Sequence, residues 1–289
     1  MKKVTLIAFI FLINSISFSQ TKEIYDMDYV SFGNKEYNGQ LFKVVRLKRK
    51  NMRVRAKYFA DEINGKSVSQ RYLEWSKNKN IICYSSGAYM NTFDAASAGL
   101  VGLTIDYGQV VNKTMKRDGL HALVAVYPNG AIDVVNLKNT NITFAGSGKP
   151  KNFNLSNFKA VDQLIAWAKD EKLTVFQTHL LAYNNVLKLG SNSKPAERER
   201  RFLVVTTNKK GEKVHFIIHK PEPASLLDAT NAVVDYLKSK SYTIDALINL
   251  DTGAQDTFRF YMDNGDVSNK LRGRLELSDA RNLVVYYYE

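Results

Sequence analysis

The chain has 289 residues, of which 45% are apolar and 24% are charged, and its 41 basic and 28 acidic side chains give a net charge of +13 at pH 7. This balance is typical of a folded globular protein, and it excludes a disordered chain, a collagen-like repeat and a polytopic membrane protein. The length allows one or two domains, each with a buried core.

The N-terminus has the three parts of a secretory signal peptide, which we assign to residues 1–19. Two lysines precede an apolar run at 4–16, and Ser-Phe-Ser at 17–19 provides a cleavage site of the small-x-small type. An uncleaved anchor is the less favoured alternative, because the run is short for a membrane-spanning helix. We therefore expect export to the periplasm or the extracellular space, with no transmembrane segment in the mature chain.

Apolar periodicity and turn residues predict the elements of the first half. Strands are expected near 41–47 and 52–58, a helix near 68–77, and further strands near 80–84, 101–106, 120–127 and 131–137. The stretch 140–154 contains glycine and proline, and it is either a linker or a long loop.

The second half begins with a helix near 157–170, where Phe158, Val161 and Leu164 recur at helical spacing and Ser156 or Asn157 is available as the cap. The remaining prediction is a helix near 224–240 and strands near 173–178, 201–207, 214–219, 245–250, 257–262 and 282–288. Strands and helices mix without strict βαβ alternation, so we expect an α+β fold: a mixed, largely antiparallel sheet with flanking helices. After a lead-in at 20–40, one domain is expected over 41–289.

A strongly basic segment spans residues 43–57, with eight lysines and arginines and no acid. It is either a patch for an acidic envelope polymer or the solvated face of a hairpin. Nucleic acid is not an expected partner, because export and the absence of any nucleic-acid-binding signature argue against it.

Cys83 is the sole cysteine, so no intramolecular disulfide forms. It lies in an apolar run, where a buried free thiol is expected rather than a nucleophile.

Four polar, flexible segments follow or precede apolar strands, which is where a rigid scaffold presents functional side chains. They contain Ser85 and Gly87, then Gln177 and His179, then Arg200, and finally the loop at 250–257. Each has a plainer interpretation: a turn at 85–87, a structural histidine, a solvated arginine and a turn-capping aspartate.

In this order, the segments resemble the phosphodiester glycosidase family. Residues 85–89 look like that family's Asn-Gly-Gly-Phe-Phe turn, and 102–108 look like its Gly-Leu-x-Ile-x-x-Gly strand. Residues 177–180, 200–202 and 250–255 occupy the places of its Gln-Ser-Gly-Pro, Arg-Thr-Ala and Leu-Asp-Gly-Gly-Gly-Ser segments. The resemblance implies a single domain of that family's fold.

The sequence departs from this pattern at several positions. Ser85 stands in place of asparagine, and His179 and Leu180 in place of Gly-Pro. Thr252 stands in place of a glycine, so its side chain is expected to narrow the site.

The resemblance implies a hydrolase that cleaves a sugar–phosphodiester bond or a related envelope glycan. Asp251 would act as acid/base or electrostatic stabiliser, Arg200 would clamp phosphate, and His179 would replace a proton donor. The expected substrate-binding residues are Ser85, Gly87, Gln177, Gly253 and Asp256. No metal or cofactor is expected; Asp251 with Asp256 is a weak candidate for a divalent cation. The alternative is a non-catalytic exported module that binds glycan with a degenerate site.

Overall fold

The structure, a computed structural model, describes residues 30–37, 39–91, 99–146, 149–190, 196–253, 255–261 and 267–289, and within the last range it describes only the backbone of 267–272. The predicted signal peptide at 1–19 lies outside the described residues. Within the described ranges, no helix is long and apolar enough to cross a membrane.

Strands dominate the described chain. In chain order they are β1 Val30–Tyr37, β2 Gln40–Lys48, β3 Val54–Ala60, β4 Asn80–Ser85, β5 Thr104–Asp106, β6 Gln109–Asn112, β7 Ala122–Val126, β8 Ile132–Asn136, β9 Asn141–Phe144, β10 Lys151–Asn154, β11 Thr174–Tyr183, β12 Val186–Leu187, β13 Arg198–Thr207, β14 Lys213–Ala224, β15 Thr243–Leu250, β16 Phe258–Tyr261, β17 Val267–Arg272 and β18 Asn282–Tyr288. The α-helices are α1 Val68–Ser76, α2 Ala160–Asp170 and α3 Leu226–Ser239. Short 3-10 turns occupy Lys50–Met52 and Leu277–Asp279.

The strands form two large sheets. In the larger sheet the order is β1-β2-β14-β13-β15-β11-β5-β6, with β7 and β12 also paired to β11 and β8 paired to β7. The smaller sheet has the order β17-β16-β4-β18-β3, and β9 pairs with β10 alone. Neighbouring strands run antiparallel in all these pairs. The predicted α+β class with a largely antiparallel sheet is confirmed, although strand greatly exceeds helix.

The main core lies between the two sheets, and strand periodicity explains which residues enter it. In β2, Val45 and Leu47 pack towards the smaller sheet, where Tyr58 and Tyr286 are buried. Alternate residues of the same strand face the opposite side, where they join α3. The other helices also pack on outer faces, α1 on the smaller sheet and α2 on β7–β10.

The region around α2 differs from its prediction. The stretch 140–154 is neither a linker nor a long loop: its strands β9 and β10 pair, and Ile142, Phe144 and Phe153 are buried against the helix. The proposed cap is also wrong, because α2 begins after Lys159 with no side-chain cap. Phe158 is 87% exposed and lies outside the helix rather than on its apolar face.

The expected hairpin at 43–57 is wrong as well. β2 belongs to the larger sheet and β3 to the smaller one, so the chain crosses between sheets here. Arg49 is buried at the crossing, where its guanidinium donates to the carbonyl of Gly130. The segment therefore does not form one solvated basic face. Part of the expected lead-in, 30–37, forms edge strand β1.

Candidate functional site

Strand order brings three of the four predicted segments together. β13, β15 and β11 are neighbours, with Arg201 opposite Leu250 in one pairing and His179 opposite Asn249 in the other. The segment after β4 reaches them from the smaller sheet through Tyr89. The ring of Tyr89 lies 4.9 Å from that of His179, and its hydroxyl contacts the side-chain amide of Asn249.

A cavity of about 410 Å³ lies where these segments meet. Three of the predicted site residues, Asp251, Arg200 and Gly253, line it together. The other lining residues are Tyr89, Met90, Asn91, Arg198, Asn249, Thr252 and Gln255. The catalytic and binding roles assigned to the three stay predictions.

Among the described lining residues, Asp251 supplies the one carboxyl group, and the residue is 6% exposed. Burial raises its pKa, and the neighbouring charge of Asp256 adds to this, whereas Arg201 and a hydrogen bond from the backbone N–H of Gly253 oppose it. That N–H donates to Oδ1 at 2.8 Å. One carboxylate oxygen is thus held by the turn, and the group accepts a proton more readily than an ordinary aspartate.

Two arginines add positive charge to the same wall. Arg200 donates from Nε to the carbonyl of Ala224 at 3.2 Å and from Nη2 to that of Ala196 at 2.6 Å. These bonds fix the guanidinium beside the cavity. Burial lowers the pKa of Arg200, but a guanidinium remains charged at neutral pH. Arg198 also lines the cavity.

Two buried amide oxygens in the lining lack partners. Oδ1 of Asn249 and Oε1 of Gln255 accept no hydrogen bond from the described residues, although both side chains are at least nine-tenths buried. A buried acceptor without a donor is costly, and both oxygens expose almost no surface, so they lie just behind the cavity wall.

His179 does not line the cavity. Its Nδ1 lies 2.9 Å from the carbonyl oxygen of Gly119, so Nδ1 carries the proton and donates it there. Burial lowers the pKa of the ring, which keeps the imidazole neutral. A neutral ring already committed to Gly119 and packed against Tyr89 does not fit the predicted proton donor.

Gln177 is not placed to orient a substrate. Its side chain is fully buried, and Oε1 accepts from the backbone N–H groups of Leu103 and Lys116 at 2.6 and 2.9 Å. Its Nε2 donates to the carbonyls of Lys116 and Leu120. All its hydrogen-bonding capacity is used in joining the segments around 103, 116 and 120.

Ser85 and Asp256 lie behind the cavity wall, in contact with Arg201. The guanidinium Nη1 of Arg201 lies 2.7 Å from Oδ1 of Asp256 and 3.3 Å from Oγ of Ser85, and all three side chains are buried. Asp256 is held in this ion pair, and its predicted roles in substrate and cation binding stay predictions. Among the described residues, no group of three or more metal-ligating side chains is found.

Gly87 also has a structural position. A side chain there would meet Val284 at 2.7 Å and Tyr58 at 3.0 Å, and its N–H donates to Oδ1 of Asn282 at 2.7 Å. Glycine is needed for this close packing of the turn against β18. The predicted part of Gly87 in substrate binding stays a prediction.

The sequence analysis missed the roles of several lining residues. Asn249 could have been found from its place two residues before Asp251, because alternate strand residues share a face. Tyr89 and Gln255 carry no such signal, since a tyrosine or glutamine in a turn is common on any surface.

The chain matches no family model and no curated protein. Among solved structures it is similar to the catalytic domain of zebrafish N-acetylglucosamine-1-phosphodiester alpha-N-acetylglucosaminidase, auto-inhibited by its pro-peptide, with 11% identity over 90% of this chain and 82% of that one, at a TM-score of 0.47. It is also similar to a hypothetical protein from Synechocystis (8% identity, 91% of this chain, 62% of that chain, TM-score 0.46). A third similar structure is that of a candidate exported protein from Burkholderia pseudomallei (9% identity, 86% of this chain, 74% of that chain, TM-score 0.44). The chain thus covers less than two thirds of the Synechocystis protein, and the likeness is a distant one of fold.

Proposed function

We propose that the chain is an exported glycosidase-like hydrolase that cleaves a sugar–phosphodiester or related envelope glycan in the cavity around Asp251. The observation that carries the proposal is the combination of a buried carboxyl group of raised pKa with two arginines in one lining. Export to the periplasm or the exterior is supported by the signal-like sequence at 1–19.

The arrangement suits a phosphate leaving group. Water attacks the anomeric carbon, the bond from that carbon to the phosphate oxygen breaks, and the phosphate departs with the electron pair. Asp251 takes the proton from the water and stabilises positive charge on the sugar ring. Arg200 and Arg198 stabilise the departing anion, which needs no separate proton donor.

The remaining lining fits the sugar and the group attached to its phosphate. The amide residues Asn91, Asn249 and Gln255 in the lining supply polar groups for sugar hydroxyls. A second cavity of about 570 Å³ shares Arg198, Thr252 and Gly253 with the first, so the attached group has room beyond the arginines.

A second candidate function is a binding module that holds such a glycan without cutting it. Thr252 favours it: its side chain enters the lining and donates to the carbonyl of Glu199 at 2.8 Å, so the loop is narrower than a glycine loop. Asp251 also has no second carboxyl beside it in the described lining.

We expect the purified protein to release free sugar from members of a panel of sugar-1-phosphodiesters. Asp251→Asn should lower kcat by about 10²- to 10⁴-fold, because the base is lost, with a smaller change in binding. Arg200→Ala should lower kcat and also weaken substrate binding. Asp235→Asn, an exposed position on α3, is the matched control.

Unchanged turnover in Asp251→Asn would contradict the catalytic role. If the folded wild type binds the panel but turns over none of it, the binding module is correct and the hydrolase is not.

Turnover should also depend on pH in a defined direction. Burial raises the pKa of Asp251, and the carboxylate form is the active one. Turnover should therefore fall as the pH is lowered through that raised pKa, at a higher pH than an ordinary aspartate would give. A kcat profile whose acid limb lies at the ordinary aspartate position would argue against Asp251 as the base.

A further inference from the structure

A second cleft, separate from the cavity at Asp251, lies between the sheets' neighbouring edges and the end of α2. It has a volume of about 320 Å³. Aromatic rings and two lysines dominate its lining, which contains no carboxylate: Ala56, Lys57, Tyr58, Trp75, Tyr107, Val126, Tyr127, Pro128, Lys172, Thr174 and Tyr287.

The two lysines are held by rings rather than by acids. Nζ of Lys57 lies 5.2 Å from the ring centre of Tyr107 and 5.9 Å from that of Trp75, and Nζ of Lys172 lies 5.9 Å from Tyr107. Within the described part of the chain, neither forms an ion pair; Asp106, the carboxylate that acts on Lys57, is paired with Arg71 at 2.6 Å. Cation–π contacts position an ammonium group but leave its charge uncompensated.

The backbone is strained on the Tyr107 side of this cleft; Lys172 follows the C-cap of α2, where a left-handed residue is common, as Ser241 is after α3. Tyr107 has φ 48° and Lys172 has φ 51°, in the left-handed region that side chains other than asparagine and aspartate seldom adopt. Tyr107 and Gly108 form the two-residue turn between β5 and β6, where asparagine or glycine would be preferred. Such strain at a half-exposed tyrosine is characteristic of sites where a side chain is placed for function.

We propose that this cleft binds an acidic saccharide, with the carboxylate of a uronate-type sugar between Lys57 and Lys172 and the sugar ring against the aromatic lining. The volume lies at the lower end of the range of ligand pockets, about 300–1,000 Å³. It therefore fits a single sugar ring, and it is larger than a bare anion needs. This site is independent of hydrolysis at Asp251, and it assigns Lys57 of the basic segment 43–57 to a defined ligand.

A nucleotide is the main competitor, because aromatic rings and lysines also bind bases and phosphates. The small volume of the cleft favours a single sugar ring, because a nucleotide adds a base and a phosphate to its sugar and needs more room.

The test is calorimetric titration of the purified full-length protein with trigalacturonate. Neutral maltotriose, inorganic phosphate and AMP serve as comparison ligands. Lys57→Met with Lys172→Met keeps the apolar stems and removes both charges, and it should weaken trigalacturonate binding by at least about tenfold. Lys209→Met with Lys210→Met, in an exposed turn, is the matched control and should bind as the wild type does.

Tyr107→Asn separates a binding role from a structural one. Asparagine accepts the left-handed backbone, so this variant should be at least as stable to heat as the wild type while it loses the sugar. A variant that is less stable but binds normally would overturn the role of Tyr107.

Three further results would overturn the proposal: no binding of trigalacturonate by the wild type, equal binding of maltotriose or phosphate, or tighter binding of AMP. Wild-type activity at Asp251 does not enter this experiment, so the two proposals fail separately.

Discussion

Gln177 illustrates how one polar side chain can hold three backbone segments together. Gln177→Met keeps the volume but leaves the buried N–H and carbonyl groups of Leu103, Lys116 and Leu120 without partners. We expect the free energy of unfolding to fall by about 2–4 kcal/mol in urea titrations. Gln163→Met, exposed on α2, should change it little. A stable Gln177→Met protein that fails only in ligand binding would restore the substrate role.

Adjacent arginines at the site show what sequence alone could and could not predict. Arg200, Asp251 and Gly253, which the resemblance implied as site residues, line one cavity, and their roles there stay predictions. The resemblance could not indicate that Arg201 is fully buried with Asp256, because a buried ion pair consists of the same residue types as an exposed loop. The two arginines differ only in the side of β13 from which they project. Side chains normally alternate between the two sides of a strand, and a bulge in β13 disturbs that alternation.

Strand β14 carries two buried histidines on the face towards the smaller sheet. Burial holds the pKa of His215 well below its usual range and lowers that of His219 to about 2, with Arg201 contributing in the second case. Below pH 6.5 the unfolded chain binds protons at both positions and the folded chain does not. Stability is therefore lost as the pH falls below 6.5, and each histidine contributes to this loss.

Urea unfolding between pH 7 and pH 4 measures this loss. His219→Gln should reduce the slope of stability against pH. His121→Gln should reduce it less, because burial also lowers the pKa of His121, but this ring is partly exposed and lies outside β14. A wild-type free energy that stays flat over this range would show that the folded protein also protonates these rings.

The elements themselves were largely predictable, since alternation and helical periodicity placed most strands and all of the described α-helices within a few residues. Which strands pair with one another was not predictable. β2 and β3 read as a hairpin because they are close in sequence, yet they pair with β14 and β18 in different sheets. The pairing depends on packing against strands that are distant in sequence, and the local sequence pattern does not predict that packing.

At the scale of the whole molecule, Cys83 reports on the integrity of the two-sheet core. Its thiol is buried between the sheets, and burial raises its pKa to about 12. We expect negligible reaction with a thiol reagent at pH 8 in the native protein, because little thiolate forms and none is accessible. With increasing urea, labelling should set in with the same midpoint as the loss of near-ultraviolet circular dichroism. Labelling well below that midpoint would indicate that the smaller sheet opens on its own.

The position of β18 has a consequence for how the chain is made. β18 lies between β3 and β4, which do not pair with each other, and Val284 pairs with Ser85 about 200 residues earlier. During synthesis, β3 and β4 emerge long before β18, the strand that joins them, and β4 also pairs with β16 from residues 258–261. The smaller sheet closes only once the 282–288 segment is available, so it depends on contacts of large sequence separation, which slow folding.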